Sequence, residues 1–160
     1  MLQGLAPVVG RASRLLVLGS FPGEASLAAG RYYAHPRNQF WPILARALGE
    51  PLVDWPFERR YRAVIAAGFA IWDVYAGCRR EGSLDSSIRD AAQNDFESLL
   101  RRAPRLRAVL FNGRTAGRYE PWFAGRGLAT RVLPSTSPAH AGMSAAEKGE
   151  RWCEAIEALR

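Results

Sequence analysis

Two stretches of the chain carry side chains that could do chemistry. The first holds Tyr32, Tyr33, His35, Arg37 and Asn38, just ahead of Phe40-Trp41. An asparagine amide has a carbonyl that can orient a water and an NH2 that can donate. It is a poor proton acceptor, so Asn38 can position water but not deprotonate it. The flat face of a tyrosine can hold a planar ring. The second stretch is Leu133-Pro134-Ser135-Thr136-Ser137-Pro138-Ala139-His140-Ala141-Gly142. Its hydroxyls, set between prolines, suit either a phosphate grip or a rigid loop. His35 and His140 are the only histidines, one in each stretch. His35 stands between Ala34 and Pro36, where a structural hydrogen bond is as reasonable as catalysis. Asp73, in Phe69-Ala70-Ile71-Trp72-Asp73-Val74, is a carboxylate in apolar surroundings. A cap or an ion pair is the commoner role for such a residue. Lys148 is the only lysine and belongs to neither stretch, which argues against Schiff-base chemistry.

These groups need elements to hold them. Leu15-Leu16-Val17-Leu18 is a short continuous apolar run, as expected of a strand buried on both faces. Gly19, Pro22 and Gly23 break it. Ligands of open α/β sheets bind beyond the carboxyl ends of the strands, so the loop over 20–38 is the expected site. A helix is predicted over 39–48, stopped by Gly49 and Pro51. A second, over 57–67, is opened by Asp54 and Pro56 and ended by Gly68. Strands follow at 69–74, 106–112 and 127–133. A helix runs from Asn94 or Asp95 to Arg102, and Phe111-Asn112-Gly113-Arg114 reads as a strand-to-helix turn. Ser144 and Glu147 form a capping box for the last helix, with Trp152, Ile156 and Leu159 on one face. Residues 1–12 read as a loose lead-in. Strands alternating with helices, without hairpin signals, predict an α/β fold. Its expected form is a three-layer αβα arrangement around a four-stranded parallel sheet, in one domain spanning 1–160.

The chain has 160 residues, enough for one sizeable core. Its net charge of +7 comes almost wholly from arginine. That suits a polyanionic partner, and equally a solvated arginine-rich surface. No apolar run is long enough to span a membrane, and the N-terminus has no secretory pattern. The two cysteines, Cys78 and Cys153, fit a reducing cytosol. Neither has metal-ligand spacing, and two thiols cannot hold a four-cysteine iron–sulfur cluster. No cofactor is expected.

Gly19-Ser20-Phe21-Pro22-Gly23 is similar to the Gly-x-Asn-Pro-Gly of the mismatch-specific branch of the uracil-DNA glycosylase superfamily. Tyr33-Ala34-His35-Pro36-Arg37-Asn38-Gln39-Phe40-Trp41 resembles that branch's aromatic-Ala-His-Pro-x-Asn-x-Phe-Trp. The serine-rich stretch from Leu133 resembles the superfamily's second motif, which pinches DNA phosphates and wedges the base stack. One departure matters: the family's water-activating Asn or Asp falls on Phe21, which cannot do that work. Phe21 with an intact Asn38 resembles the hypoxanthine (deoxyinosine) branch, as does Cys78-Arg79-Arg80-Glu81-Gly82-Ser83-Leu84-Asp85-Ser86-Ser87-Ile88. The resemblance covers about residues 13 to 160.

The resemblance implies a monofunctional hydrolase acting on deaminated bases in DNA (hypoxanthine, with uracil or xanthine as further candidates), cytoplasmic and monomeric. It makes Asn38 the main catalytic residue and Tyr33 the stacking platform. Asp73 occupies the place that reads the flipped base, and its carboxylate can accept the N1–H of hypoxanthine. Gly19, Ser20 and Phe21 complete the base site, where the amides of Ser20 and Phe21 can donate to O6 or N7. His35, Arg37, Ser135, Thr136, Ser137 and His140 are expected against DNA. Arg79, Arg80 and Ser83 could touch phosphates or form a solvated loop. Two alternatives stay open: a uracil-first glycosylase, and a DNA-binding relic that lost its chemistry at Phe21.

Overall fold

The computed structural model describes residues 1–140 and 142–160. A four-stranded parallel sheet lies at its centre, in the order β3-β2-β6-β7. Its strands are β2 (Leu15–Gly19), β3 (Phe69–Asp73), β6 (Ala108–Asn112) and β7 (Ala129–Leu133). Every residue of β2, β3 and β6 is buried. Such strands are covered on both faces, which explains why Leu15 to Leu18 run apolar without alternation. Only β7, at one edge, is largely exposed. Leu15 pairs with Phe69 and Ala108, so Gly19 ends level with Asp73 and near Asn112. One register therefore brings three loops to one end of the sheet.

The helices are α1 (Glu24–Ala29), α2 (Phe40–Leu48), α3 (Phe57–Ala66), α4 (Phe96–Arg102), α5 (Arg114–Gly117), α6 (Glu120–Ala124) and α7 (Ala145–Leu159). Asp95 caps α4 by accepting from Ser98 N at 3.2 Å. Ser144 caps α7 by accepting from Glu147 N at 3.1 Å. Trp152 and Ile156 of α7 are buried, and α7 packs on α2.

Four sequence expectations need correction. Residues 1–12 are not a loose lead-in: β1 (Leu2–Gln3) pairs antiparallel with β4 (Tyr75–Arg79), and Val8 exchanges backbone hydrogen bonds with Ile71. A hairpin does exist, because β4 pairs antiparallel with β5 (Arg89–Gln93) to form a second sheet, β1-β4-β5. β5 is exposed throughout and reads Arg-Asp-Ala-Ala-Gln, so it carries no apolar alternation to betray it. The loop after β2 contains α1. Asp54 does not cap α3; it lies in a 3-10 turn, Leu52–Asp54, and Pro56 takes the N-cap position.

Candidate active site

At the carboxyl end of the parallel sheet lies a cleft of about 1130 Å³. One wall is Gly19 to Gly23 with Tyr33 and Asp73; the other is Pro134 to His140. Asn38 and Asn112 line it between them.

Gly19 is a close-approach position. A Cβ there would fall 2.6 Å from Asp73 Oδ1 and 3.0 Å from the Tyr33 hydroxyl. Any other residue would push the carboxylate and the ring apart. Tyr33 stacks on Phe40, the first residue of α2, with centroids 4.1 Å apart and planes tilted 26°. Its backbone has φ 54°, a left-handed conformation that a bulky residue adopts only under strain. The strain presents the ring to the cleft while α2 backs it. Burial, then the nearby Asp73, pushes the phenol of Tyr33 well above its usual range.

Asp73 is 4% exposed at the end of β3. Its Oδ2 is sealed from solvent and unpartnered, as are the Tyr33 hydroxyl and Nε and Nη1 of Arg80. Burial, then the negative charge of Asp85, raises its carboxyl to about 7, against an opposing pull from Arg80.

Asn38 is half-buried, and its Oδ1 accepts from Phe40 N at 2.9 Å. The amide thus helps cap α2 while its NH2 makes no hydrogen bond among the described residues. The second lone pair of Oδ1 is still available. His35 Nδ1 accepts from Arg37 N at 3.0 Å and so shapes the turn that presents Asn38. Arg37 itself is exposed on the cleft.

The serine-rich wall is tied from behind. Asn112 Nδ2 donates to Thr136 Oγ1 at 3.0 Å, and Thr136 N donates back to Asn112 Oδ1 at 2.9 Å. Thr136 is 1% exposed, so its side chain is not a phosphate contact; the expectation from the sequence is corrected on this point. Its carbonyl accepts from Gln39 N at 3.0 Å and joins the two motifs. Lys148 Nζ donates to the carbonyls of Ser137 and His140 at 3.3 and 2.6 Å. Trp152 Nε1 donates to Pro134 O at 2.8 Å. Ser135 and Ser137 are half-buried, with hydroxyls that accept from Ser137 N and Ala139 N, and His140 is exposed. Ala141, the next residue of this motif, lies outside the described residues.

Phe21 is 6% exposed and the Arg80 guanidinium lies 5.2 Å from its ring. Arg80 Nη2 donates to Pro22 O at 2.5 Å, which turns this arginine inward rather than toward phosphates. Ser83 Oγ accepts from Glu24 N at 3.0 Å, and Ser20 Oγ lies 2.6 Å from Asp85 Oδ1. The hairpin loop between β4 and β5 is thereby fastened to Ser20 and Glu24, beside the Gly19 to Gly23 wall.

Sequence reasoning brought Gly19, Ser20, Phe21, Tyr33, Asn38 and Asp73 to one place, and the structure gathers them. It missed Asn112 and Asp85. Asn112 had a usable signal, as a polar residue at the carboxyl end of a buried strand. Asp85 had none. Among the described residues no group of three or more His, Cys, Asp or Glu could hold a metal. No helix among them is long and apolar enough to cross a membrane.

Comparison with known proteins gives the chain's family. Two curated relatives named hypoxanthine DNA glycosylase were found. The one from Methanosarcina acetivorans is 39% identical over 148 residues, covering 92% of this chain and 94% of the relative. The one from Methanosarcina barkeri is 37% identical over 155 residues, covering 97% and 98%. A solution NMR structure of a Methanosarcina acetivorans protein, described as a candidate uracil DNA glycosylase, superposes with a TM-score of 0.88 at 38% identity. It covers 98% of this chain and 97% of its own. The family model of the Uracil DNA glycosylase superfamily matches residues 7–160, and the chain belongs to that superfamily.

Proposed function

We propose that this chain is a monofunctional DNA glycosylase that hydrolyses the N-glycosidic bond of deaminated bases in DNA, hypoxanthine first. One observation carries the reading. Asn38, whose NH2 is free of partners among the described residues, and Asp73, with an unpartnered carboxyl oxygen, line one cleft beside an aromatic platform, while the family's usual water-activating position holds a buried phenylalanine. The names of the two Methanosarcina relatives support the same choice of base.

The target nucleotide must leave the duplex to bring its C1′ within reach. The base then stacks on the open face of Tyr33, a contact worth roughly 1–3 kcal/mol and tolerant of base identity. Identity is read at the edge, where Asp73 lies. Asn38 orients a water toward C1′ with the free lone pair of its carbonyl, and its NH2 donates to charge that develops as the bond breaks. Phe21 packs beside the base and neither orients nor deprotonates water. Ser135 and Ser137 with Arg37, Arg114, His140 and Arg151 along the cleft grip phosphates. Thr136 and Asn112 keep that grip rigid. Lys148, the single lysine, is turned to the back of the loop, consistent with hydrolysis without a Schiff base.

The test uses duplexes carrying one deoxyinosine, deoxyuridine or deoxyxanthosine, treated with protein and then alkali, with and without EDTA. Strand breaks should be strongest at deoxyinosine and unaffected by chelator. No alkali-labile site in any duplex would leave a DNA-binding relic as the function.

A further inference from the structure

The hairpin loop from Arg80 to Ile88 supplies a second carboxylate to the base-side wall. Asp85, in the 3-10 turn Asp85–Ser87, lies on the cleft and accepts the Ser20 hydroxyl at 2.6 Å. Asp73 lies beside Gly19, one residue before that serine. Resting on the glycosylase reading above, we propose that Asp73 and Asp85 form a carboxylate pair in which Asp85 carries the charge and Asp73 the proton, so that Asp73 is the acid that protonates the departing base.

The geometry assigns the two roles. Asp85 is half-exposed and takes a hydroxyl hydrogen, the environment of an ionised carboxylate. Asp73 is almost fully buried, and among the described residues its carboxyl group accepts no hydrogen bond, makes no ion pair and has one oxygen sealed without a partner. An isolated buried carboxylate gives up its charge by taking a proton. Arg80 pulls the other way on Asp73 but makes no ion pair with it: Nη2 donates to Pro22 O, the guanidinium lies over the Phe21 ring, and Nε and Nη1 make no hydrogen bond among the described residues. The titratable and charged groups facing Asp73 are Tyr32 and Tyr33 from the loop ahead of α2, Asp85 from the 3-10 turn and Arg80 from the hairpin loop. Burial holds both tyrosines neutral, their phenols pushed well above the usual range. The like charge of Asp85 and burial act in the same direction on Asp73, toward about 7. Two carboxyls whose surroundings push them apart are a recurring acid–base arrangement.

The step balances. The bond between C1′ and N9 breaks and its electron pair passes to the purine. The Asp73 proton moves to an acceptor of the base, the exocyclic O6 or the ring N7, so that neutral hypoxanthine leaves. The water oriented by Asn38 bonds to C1′, and the proton it loses restores Asp73. This arrangement also accounts for the tolerance of Phe21: with the leaving group assisted, water needs orientation rather than deprotonation.

The experiment pairs two readouts. Carboxyl-carbon NMR of the free protein titrates Asp73 without substrate, and single-turnover release from a T:I duplex gives the pH profile. In the wild type the Asp73 carboxyl should titrate near neutrality, and release should fall as pH rises through the same range. Asp85→Asn removes the like charge, so both midpoints should move to lower pH by roughly one unit or more. A merely structural Asp85 would lower release equally at every pH and leave the Asp73 midpoint in place. That result, an ordinary carboxylate midpoint in the wild type, or release that rises with pH would each overturn the proposal. Failure of release with a shifted Asp73 midpoint would instead count against the glycosylase reading, since the NMR arm needs no activity.

Discussion

The base-side wall of the cleft buries polar atoms without pairing them, whereas the serine-rich wall pairs its polar atoms from behind. On the side of Gly19 to Gly23 the orphans are the Tyr33 hydroxyl and Asp73 Oδ2, with Nε and Nη1 of Arg80, which packs on Phe21 and Pro22 without lining the cleft; these are the four found among the described residues. On the other side Asn112 and Thr136 exchange two hydrogen bonds, and Lys148 and Trp152 secure the carbonyls of Ser137, His140 and Pro134. A buried polar atom left unpaired costs about 1–3 kcal/mol. On the glycosylase reading proposed above, such a cost persists because it leaves capacity for a ligand, and the orphan wall is the one assigned to the base. The paired wall is rigid before DNA arrives, as a phosphate grip should be.

That contrast makes opposite predictions for two conservative changes. Thr136→Val keeps the shape and the backbone N–H that donates to Asn112 Oδ1, but takes from the Asn112 NH2 its acceptor. Unfolding in urea should show a loss of about 1–3 kcal/mol, and duplex binding should weaken with it. Tyr33→Phe removes an orphan hydroxyl and keeps the platform. The same urea titration should show neutral stability or a gain of up to about 1 kcal/mol, with inosine binding retained. Equal destabilisation by both would erase the distinction between the walls.

A smaller effect is expected at Phe21. Phe21→Asn restores a water-positioning group, so uracil release from an A:U pair should rise relative to hypoxanthine release from T:I by roughly tenfold, less than the ~10²–10⁴-fold of a fully aligned acid–base group. The wild type should act weakly on A:U, where unpairing costs more. Single-turnover rates on both duplexes decide this. Equal loss of the two activities would remove Phe21 as a determinant of substrate choice.

Much of the base-side wall was legible because it lies within two short runs of sequence. Leu15 to Leu18 announce the strand, and Tyr33 to Trp41 carry the aromatic and the amide. The hairpin was not legible, since β5 is exposed on every residue and relies on its pairing with β4 rather than on apolar alternation. Asp85 reaches the site only because that hairpin folds back onto Ser20 and Glu24. Thr136 misled for a related reason: its neighbours Ser135 and Ser137 are half-exposed, and only the alternation of the loop backbone sends its side chain to Asn112. Lys148 was read correctly as standing outside both motifs, yet the capped turn of α7 carries it behind one of them.

Asn38 is the residue on which the account depends, and it has two jobs to separate. Its Oδ1 holds the start of α2, while its free amide faces the cleft. The deciding measurement is single-turnover cleavage of a T:I duplex by the wild type, Asn38→Ala and Asn38→Ser, with duplex affinity and thermal unfolding of each. Serine keeps a capping oxygen and loses the amide; alanine loses both. Both variants should lose roughly 10²–10³-fold in cleavage, the scale of removing one well-aimed polar group. Duplex affinity should hold in both, and the thermal midpoint should drop chiefly in alanine. Near-wild-type cleavage by either variant would contradict the assignment of the chemistry to Asn38.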